Sequence, residues 1–419
     1  MTTRYRSDDS IAIIGAGIIG VSIGWHLIKR GFPVVIYDPN EPGSGCSSGN
    51  AGAISPGSVV PLAMPGLLAS VPGMMLNPAG ALHIPMRYWL AAFPWLARFV
   101  AAARPSRVLE ISTALSAFYG NAIDHHVRLL TEVGALDVIR QTGQLHLYRS
   151  RQHLQENQGD WKLRASHGVE FEIMDRAGIE ALEPQVGEAY QVGVFLPKAA
   201  MSVNPLRQVR AIASAVAGVG AEFRRERVRA IEHDGDTITG VTSESGSRRH
   251  RAVVVAAGAW SATLLRGLGY KVPLEAQRGY HVDFRNSNIS LSRPIVPADR
   301  KVFITPMETG LRVAGTVEIA GLEASPSEAR AKLLYNDLKA ALPSASVAQP
   351  DPSWMGHRPC LPDSLPVIGE TQRWPGLMCA FGHGHLGLSA SAVTGDLVGR
   401  LLAGEPSLLN MHPFRLERF

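Results

Sequence analysis

Residues 11–38 read IAIIGAGIIGVSIGWHLIKRGFPVVIYD. Ile11-Ala12-Ile13-Ile14 is an unbroken apolar run, the pattern of a strand buried on both faces. Gly15, Gly17 and Gly20 follow at once in a GxGxxG turn. Val21 to Arg30 then reads as a helix closed by Gly31, and Pro33 to Asp38 as a second buried strand ending in an acid. Together they make a strand, turn, helix, strand unit of about thirty residues. Gly15 permits the tight turn, Gly17 lets main chain approach a pyrophosphate, and Gly20 lets the helix pack close on the strand. Ile18 and Ile19 lie between the second and third glycines, ahead of the helix, whose N-terminus offers unpaired N–H groups and the positive end of its dipole to a phosphate. Asp38 is placed to accept hydrogen bonds from ribose hydroxyls. The unit implies a dinucleotide-binding α/β domain, without choosing between NAD and FAD.

Three further stretches carry the same small-residue signature. Residues 43–55, GSGCSSGNAGAIS, follow the second strand directly and let main chain lie flat against a large planar ring, with Ser47, Ser48, Asn50, Ala51, Gly52 and Ile54 available to it. Residues 253–261, VVVAAGAWS, are a buried strand running into small residues at Ala257 and Gly258, followed by Trp260. Residues 381–388, FGHGHLGL, set glycines ahead of a helical pattern from Ser389 to Leu402. That arrangement aims the N–H groups of Gly384, His385, Leu386, Gly387 and Leu388 at an acceptor. His383 and His385 lack a third ligand nearby, so no metal site is expected.

Composition narrows the class. The chain has 419 residues, 46% of them hydrophobic, enough for one large or two intimately joined domains. Its net charge of +5 is scattered, and the Arg248-Arg249-His250-Arg251 cluster is too short to argue for nucleic acid as a partner. Three cysteines, Cys46, Cys360 and Cys379, make neither a paired metal motif nor a disulfide framework, which fits a reducing compartment. The first ten residues are polar and lack the apolar core of a secretory signal, so a cytoplasmic location is expected.

Taken with GHRPCLPDSLPVIG at 356–369, the four stretches resemble the FAD-dependent D-amino acid dehydrogenase family, within the glycine oxidase and D-amino acid oxidase superfamily. The resemblance spans nearly the whole chain in the family's order. It implies FAD as cofactor, and Val228, within Arg227–Ile231, as the strand valine whose backbone meets the adenine. It also implies Ala257 and Gly258 as a second cofactor turn. Some relatives attach FAD through a cysteine near Cys360, but the family places that cysteine a few residues earlier, so non-covalent binding is expected here.

The substrate side needs a group for a carboxylate, and arginine suits it because its planar fork donates two parallel hydrogen bonds and keeps its charge. Arg358, in Gly356-His357-Arg358-Pro359, matches the superfamily's carboxylate-binding arginine; a structural pairing with Asp363 or another acid is the alternative. Arg278-Gly279-Tyr280-His281 resembles the segment that carries a tyrosine over the substrate, which assigns Tyr280 a catalytic place. The family usually has lysine where this chain has Arg278. The implied reaction is oxidative deamination of a D-amino acid by hydride transfer from Cα to flavin N5, giving an imine that water hydrolyses to a 2-oxo acid. The rivals are a cyclic imino acid such as D-proline or hydroxy-D-proline, a glycine- or sarcosine-type amine, a hydroxy acid, and a subunit inactive without partner chains.

The interleaved motifs predict an α/β (α+β overall) fold in which a Rossmann-like FAD domain alternates with an antiparallel-sheet substrate domain. The cofactor parts are assigned to 1–90, 201–268 and 351–419, and the substrate parts to 91–200 and 269–350. Residues 59–107 are an apolar excursion, too broken by prolines to span a membrane. Arg87, Trp89, Phe93, Trp95, Arg98, Arg104 and Arg107 mix aromatic with basic side chains there. Packing on the enzyme's own core or another subunit and resting in a lipid interface are both open on composition. The resemblance favours lipid, because D-amino acid dehydrogenases pass electrons towards the membrane quinone pool. A quinone or other respiratory acceptor and peripheral contact with the inner membrane face are therefore expected.

Overall fold

Ile11–Ile14, Val34–Tyr37, Ala252–Val255 and Leu377–Phe381 are buried at every position. Strands of that kind need cover on both faces. In the computed structural model, which describes residues 10–66, 82–285, 287–346 and 351–419, they lie in one six-stranded sheet. Its order is Glu222–Arg224, Val34–Tyr37, Ile11–Ile14, Ala252–Val255, Leu377–Phe381 and Val367–Glu370. All neighbours run parallel except the last pair. Alternation divides the first strand between two cores. Ile11 and Ile13 join helices Ile18–Ile28, Pro205–Gly218 and Gly387–Ala403, while Ala12 and Ile14 face a meander of Ala230–Asp234, Thr237–Ser243 and Gly246–Arg249.

Helix Gly387–Ala403 is almost wholly buried and crosses helix Ile18–Ile28 closely. A β-carbon on Gly395 would lie 2.8 Å from Ser22 O, so a larger residue there would push the helices apart. Its first turn is tied down twice: a ring nitrogen of buried His126 bonds Leu388 O at 2.9 Å, and the Ser389 hydroxyl donates to Ala53 O at 3.1 Å. The C-terminal helix is thereby fixed against the loop that follows the second strand.

The other large sheet has nine strands. Trp354–Cys360, Glu275–Phe284, Gly310–Ile319, Phe303–Met307, Ile295–Pro297, Gln144–Tyr148, Val192–Leu196 and Glu172–Asp175 follow in that order, and Leu82–His83 pairs with Gly310–Ile319. Tyr280, Val282 and Phe284 point into a core shared with helix Glu328–Ala341. A small sheet of Ala53–Ile54, Ala200–Ser202 and Ile139–Arg140 stands apart from both large sheets.

Three boundaries differ from the sequence assignment. Leu82–His83, placed in the cofactor part, pairs with Gly310–Ile319 of the substrate sheet. Helices Pro105–Tyr119 and Ala122–Glu132, placed in the substrate part, bury Ile111, Leu115, Phe118, Leu129 and Leu130 in the core of the dinucleotide half. Conversely, Trp354–Cys360, placed in the cofactor part, is a strand of the substrate sheet, and the chain returns to the parallel sheet only at Val367. The strand predicted at Arg227–Ile231 begins at Ala230, leaving Val228 buried but ahead of the ladder. The polar residues 1–9 and the 67–81 part of the apolar excursion lie outside the described residues.

Candidate functional site

Gly15 adopts φ +114, and a β-carbon there would collide with Ala256 O. A β-carbon on Gly20 would overlap Gly15 O. Gly15 is thus required by the turn after the strand Ala252–Val255, and Gly20 by its close packing on Gly15 at the end of the first strand. Gly17 sits at the helix N-cap and offers no capping side chain of its own, and the N–H of Ile18 donates to Ser47 Oγ at 3.0 Å. Ile19 lies beside it in the first turn. Asp38 accepts from Ala16 N and from Asn40 N, each at 2.9 Å, which pins its carboxylate beside the turn. Across the sheet, Ala257 leads into a short 3-10 turn, Gly258–Trp260, in which Gly258 has φ +54 and open space where a β-carbon would be. Trp260 is 44% exposed and meets His357 edge to face, at 5.5 Å between centroids.

The loop after the second strand is held from both halves. Gly52, at φ +80, would set a β-carbon 2.6 Å from Ser202 O, and its N–H is taken by Asn50 Oδ1 at 2.8 Å. Ser48 donates to Gly45 O, Ala51 joins Asn50 to Gly52, and Ile54 is fully buried. From the substrate sheet, Arg312 Nη1 donates to Ser48 O and Asn50 O, both at 2.9 Å, and a ring nitrogen of His281 bonds Gly49 O at 3.1 Å.

Arg358 reaches this region because Trp354–Cys360 pairs antiparallel with Glu275–Phe284, setting Arg358 opposite Gln277 and Gly356 opposite Gly279. Its guanidinium occupies the space a β-carbon on Gly279 would need. Nη1 donates to Thr316 O at 3.0 Å. Thr316 has φ +56, an uncommon and strained setting for a β-branched residue, close to where the ladder shifts register. Asp363, the alternative partner, is bound by Arg418 at 2.8 Å instead. Among the described residues no carboxylate lies within ion-pair distance of Arg358.

Cys46 and His385 flank the guanidinium: its charge opposes the rise that burial gives the Cys46 thiol, to about 11, and adds to the fall that burial gives His385, to about 4. Arg358, Cys46 and His385 are surrounded by protein yet reachable by solvent, as residues lining a cleft are. The C-terminal glycines border it. Gly384 has φ +55 and donates from its N–H to Pro359 O at 2.8 Å, a β-carbon on it would touch Cys360 Sγ, and Leu386, Gly387 and Leu388 lead into the helix. Burial pushes the Cys360 thiol up to about 12, so it stays protonated. His383 bonds Thr394 Oγ1 at 3.0 Å, and no group of three or more potential metal ligands occurs among the described residues.

Tyr280 is not brought to the cleft. Strand alternation turns it away from Gly279 and His281 into the core behind the sheet, where its hydroxyl donates to Glu318 at 2.6 Å and accepts from Ser327 N at 3.0 Å. The expectation of a tyrosine over the substrate is corrected on that ground. Sequence reasoning also passed over Gly279, His281, Asp283, Arg312 and Thr316. Period-2 reading of Gly279-Tyr280-His281 would have set Gly279 and His281 on one face, but nothing local marks Arg312 or Thr316.

The apolar excursion divides by face. Helix Trp89–Ala102 buries Ala92 and Trp95 against Ile319 and Cys360, and Trp95 Nε1 donates to Cys360 O at 3.2 Å. Met86, Leu90 and Phe93 are 91%, 92% and 66% exposed. Among the described residues no helix is long and apolar enough to cross a membrane.

Known proteins resemble this chain over nearly its whole length. The DAO family model, FAD dependent oxidoreductase, matches residues 10–401. A D-amino-acid oxidase of Bradyrhizobium diazoefficiens is 37% identical over 98% of both chains. A D-amino acid dehydrogenase of Paramagnetospirillum magneticum is 30% identical, again over 98% of both. The fold superposes on glycine oxidase from Bacillus cereus with a TM-score of 0.71 at 22% identity, covering 95% of each chain.

Proposed function

This chain belongs to the family of FAD dependent oxidoreductases, and from that premise we propose that it oxidises a D-amino acid whose carboxylate is held by Arg358. The observation that carries the proposal is a cleft-lining arginine laid against Gly279, with no carboxylate partner among the described residues. Leaving such a charge without an anion is costly, and a substrate carboxylate repays that cost. The names of the two relatives support an amino acid of the D series.

FAD, when bound, supplies the two-electron acceptor for the C–H bond beside the amine. Gly15, Gly17, Ile18, Ile19 and Gly20 would hold its phosphates at the helix start, and Asp38 and Val228 would serve the adenosine end. Ser47 to Ile54, Ala257 to Trp260 and Gly384 to Leu388 border the rest, and no covalent bond is needed. Arg358 orients the substrate, and His385, kept neutral, leaves the carboxylate to it. The oxidised product is an imine, which water converts to the 2-oxo acid and ammonia.

The electrons pass to a quinone or another respiratory carrier at a membrane surface. Met86, Leu90 and Phe93 stand exposed beside Arg87, Arg98 and Arg104, and no acid occurs between Leu82 and Leu109, a composition suited to anionic lipid. The other reading, reduction of oxygen, is favoured by the oxidase name of the 37% identical relative. Anaerobic bleaching of the flavin by a panel of D- and L-amino acids, D-proline, glycine and sarcosine tests the substrate. Bleaching by D-amino acids alone supports the proposal, and bleaching only by glycine or sarcosine contradicts it. Fast turnover with dichlorophenolindophenol and slow turnover in air support the membrane carrier, whereas stoichiometric hydrogen peroxide at comparable rates establishes oxygen.

A further inference from the structure

Asp283 and Arg312 sit directly opposite each other on neighbouring strands of the substrate sheet. The guanidinium binds the carboxylate through two parallel bonds, Nε to Oδ1 and Nη2 to Oδ2, both at 2.8 Å. Its remaining Nη1 spans Ser48 O and Asn50 O, while His281, two residues before Asp283 on the same face, bonds Gly49 O. Three consecutive carbonyls of the cofactor loop are therefore turned towards the substrate sheet. In a planar trans peptide the N–H points opposite to the preceding C=O. The amides of Gly49 and Ala51 consequently face away from that sheet. Asn50 N is used inside the loop, donating to Ser47 O. The loop backbone lies directly against the Trp354 ring, where a β-carbon on Gly49 would overlap it, and that ring stacks on His281 at 4.8 Å.

We propose that Arg312, oriented by Asp283 and assisted by His281, is a positioning residue that aims the 47–52 loop at the cofactor, so that part of the affinity for FAD resides in the substrate sheet. The fork of Arg312 is what makes this work: one edge is locked by Asp283, leaving the far nitrogen fixed between two carbonyls. A lysine keeps the charge but cannot make all four contacts. For His281 to donate to Gly49 O, its Nδ1 must carry the proton.

The test measures FAD binding to apoprotein directly, by quenching of flavin fluorescence, and does not depend on the identity of the substrate. Arg312→Met is expected to raise the Kd for FAD about 10- to 100-fold, the effect of losing charge-assisted bonds to two carbonyls. Arg312→Lys should weaken it less, and His281→Leu, which removes only the Gly49 contact, by about threefold or more. At saturating FAD the KM of Arg312→Met for substrate should stay within about threefold of wild type, because no substrate contact is lost. Should Arg312→Met fail to give folded apoprotein by circular dichroism, Arg312→Lys and His281→Leu decide. Weaker FAD binding in both supports the proposal. FAD binding within twofold of wild type in every folded variant overturns it, whatever happens to thermal stability.

Discussion

The turn at Gly15–Gly20 and the strand Glu275–Phe284 are specified in opposite ways. At the turn, most demands are local: a β-carbon at Gly20 strikes Gly15 O and the helix start follows from the same few residues, with only Gly15 also meeting a distant partner, Ala256 O. On the strand, side chains are sorted by alternation and pairing, so that Gly279 lies under Arg358 and His281 meets Gly49 O while Tyr280 between them lies in the opposite core. A cofactor site built of backbone is written in the residues that make it. A substrate site built of side chains on a sheet depends on a register set by strands far away in sequence.

The contrast can be broken first at the turn. Gly20→Ala should abolish FAD binding, raising its Kd by more than about 100-fold, since the new methyl has no space and the helix must move off the strand. Apoprotein titrated with FAD checks this, and near-normal affinity would mean that the turn is more pliable than its contacts imply. The strand is probed next. Gly279→Ala should raise the KM for substrate about tenfold or more by displacing Arg358, while FAD affinity stays within about threefold of wild type. An equal loss of FAD affinity would erase the distinction between the two regions. A smaller effect is expected one residue on. Tyr280→Phe should leave KM within about twofold but cost about 1–2 kcal/mol of stability, because Glu318 and Ser327 N lose a buried partner. Thermal unfolding and steady-state kinetics read the two separately.

The least discriminating effect is that of pH, since both halves respond alike. Burial lowers His126 and His250 of the dinucleotide half and His281 of the substrate sheet from 6.5 to about 4. Below 6.5 the unfolded chain therefore binds protons that the folded one refuses, so stability rises with pH across this window. The Tm of the apoprotein should be flat with respect to these groups above about pH 7 and fall as pH drops from 6.5 towards 4. A Tm that rises on acidification through this range would contradict the assignment.

These differences explain what was legible. The dinucleotide unit from Ile11 to Asp38, the strand before Ala257 and the C-terminal helix could be read because burial on both faces and glycine contacts leave marks in adjacent residues. Arg358 was legible through its motif, but its path over Gly279 was not, because that rests on pairing across residues 275–360. Arg312 carries no local signal at all: its meaning comes from Asp283 opposite it and from loop carbonyls contributed by residues 48 and 50. The helices at 105–132 looked like part of the substrate half by position, whereas their apolar faces are claimed by the C-terminal helix. The excursion before them was readable as an apolar stretch mixing aromatic with basic residues, and only packing shows that Trp95 is its anchor and Leu90 its open face.

The central claim is that Arg358 holds the substrate carboxylate. It is tested most directly by stopped-flow bleaching of the flavin without oxygen, in wild type and in Arg358→Ala, across a range of D-amino acid concentrations. The variant should keep FAD, and its half-saturating concentration should rise about 30- to 1000-fold, the effect of losing about 2–4 kcal/mol of charge-assisted pairing. Half-saturation unchanged from wild type, with FAD still bound, would contradict the account.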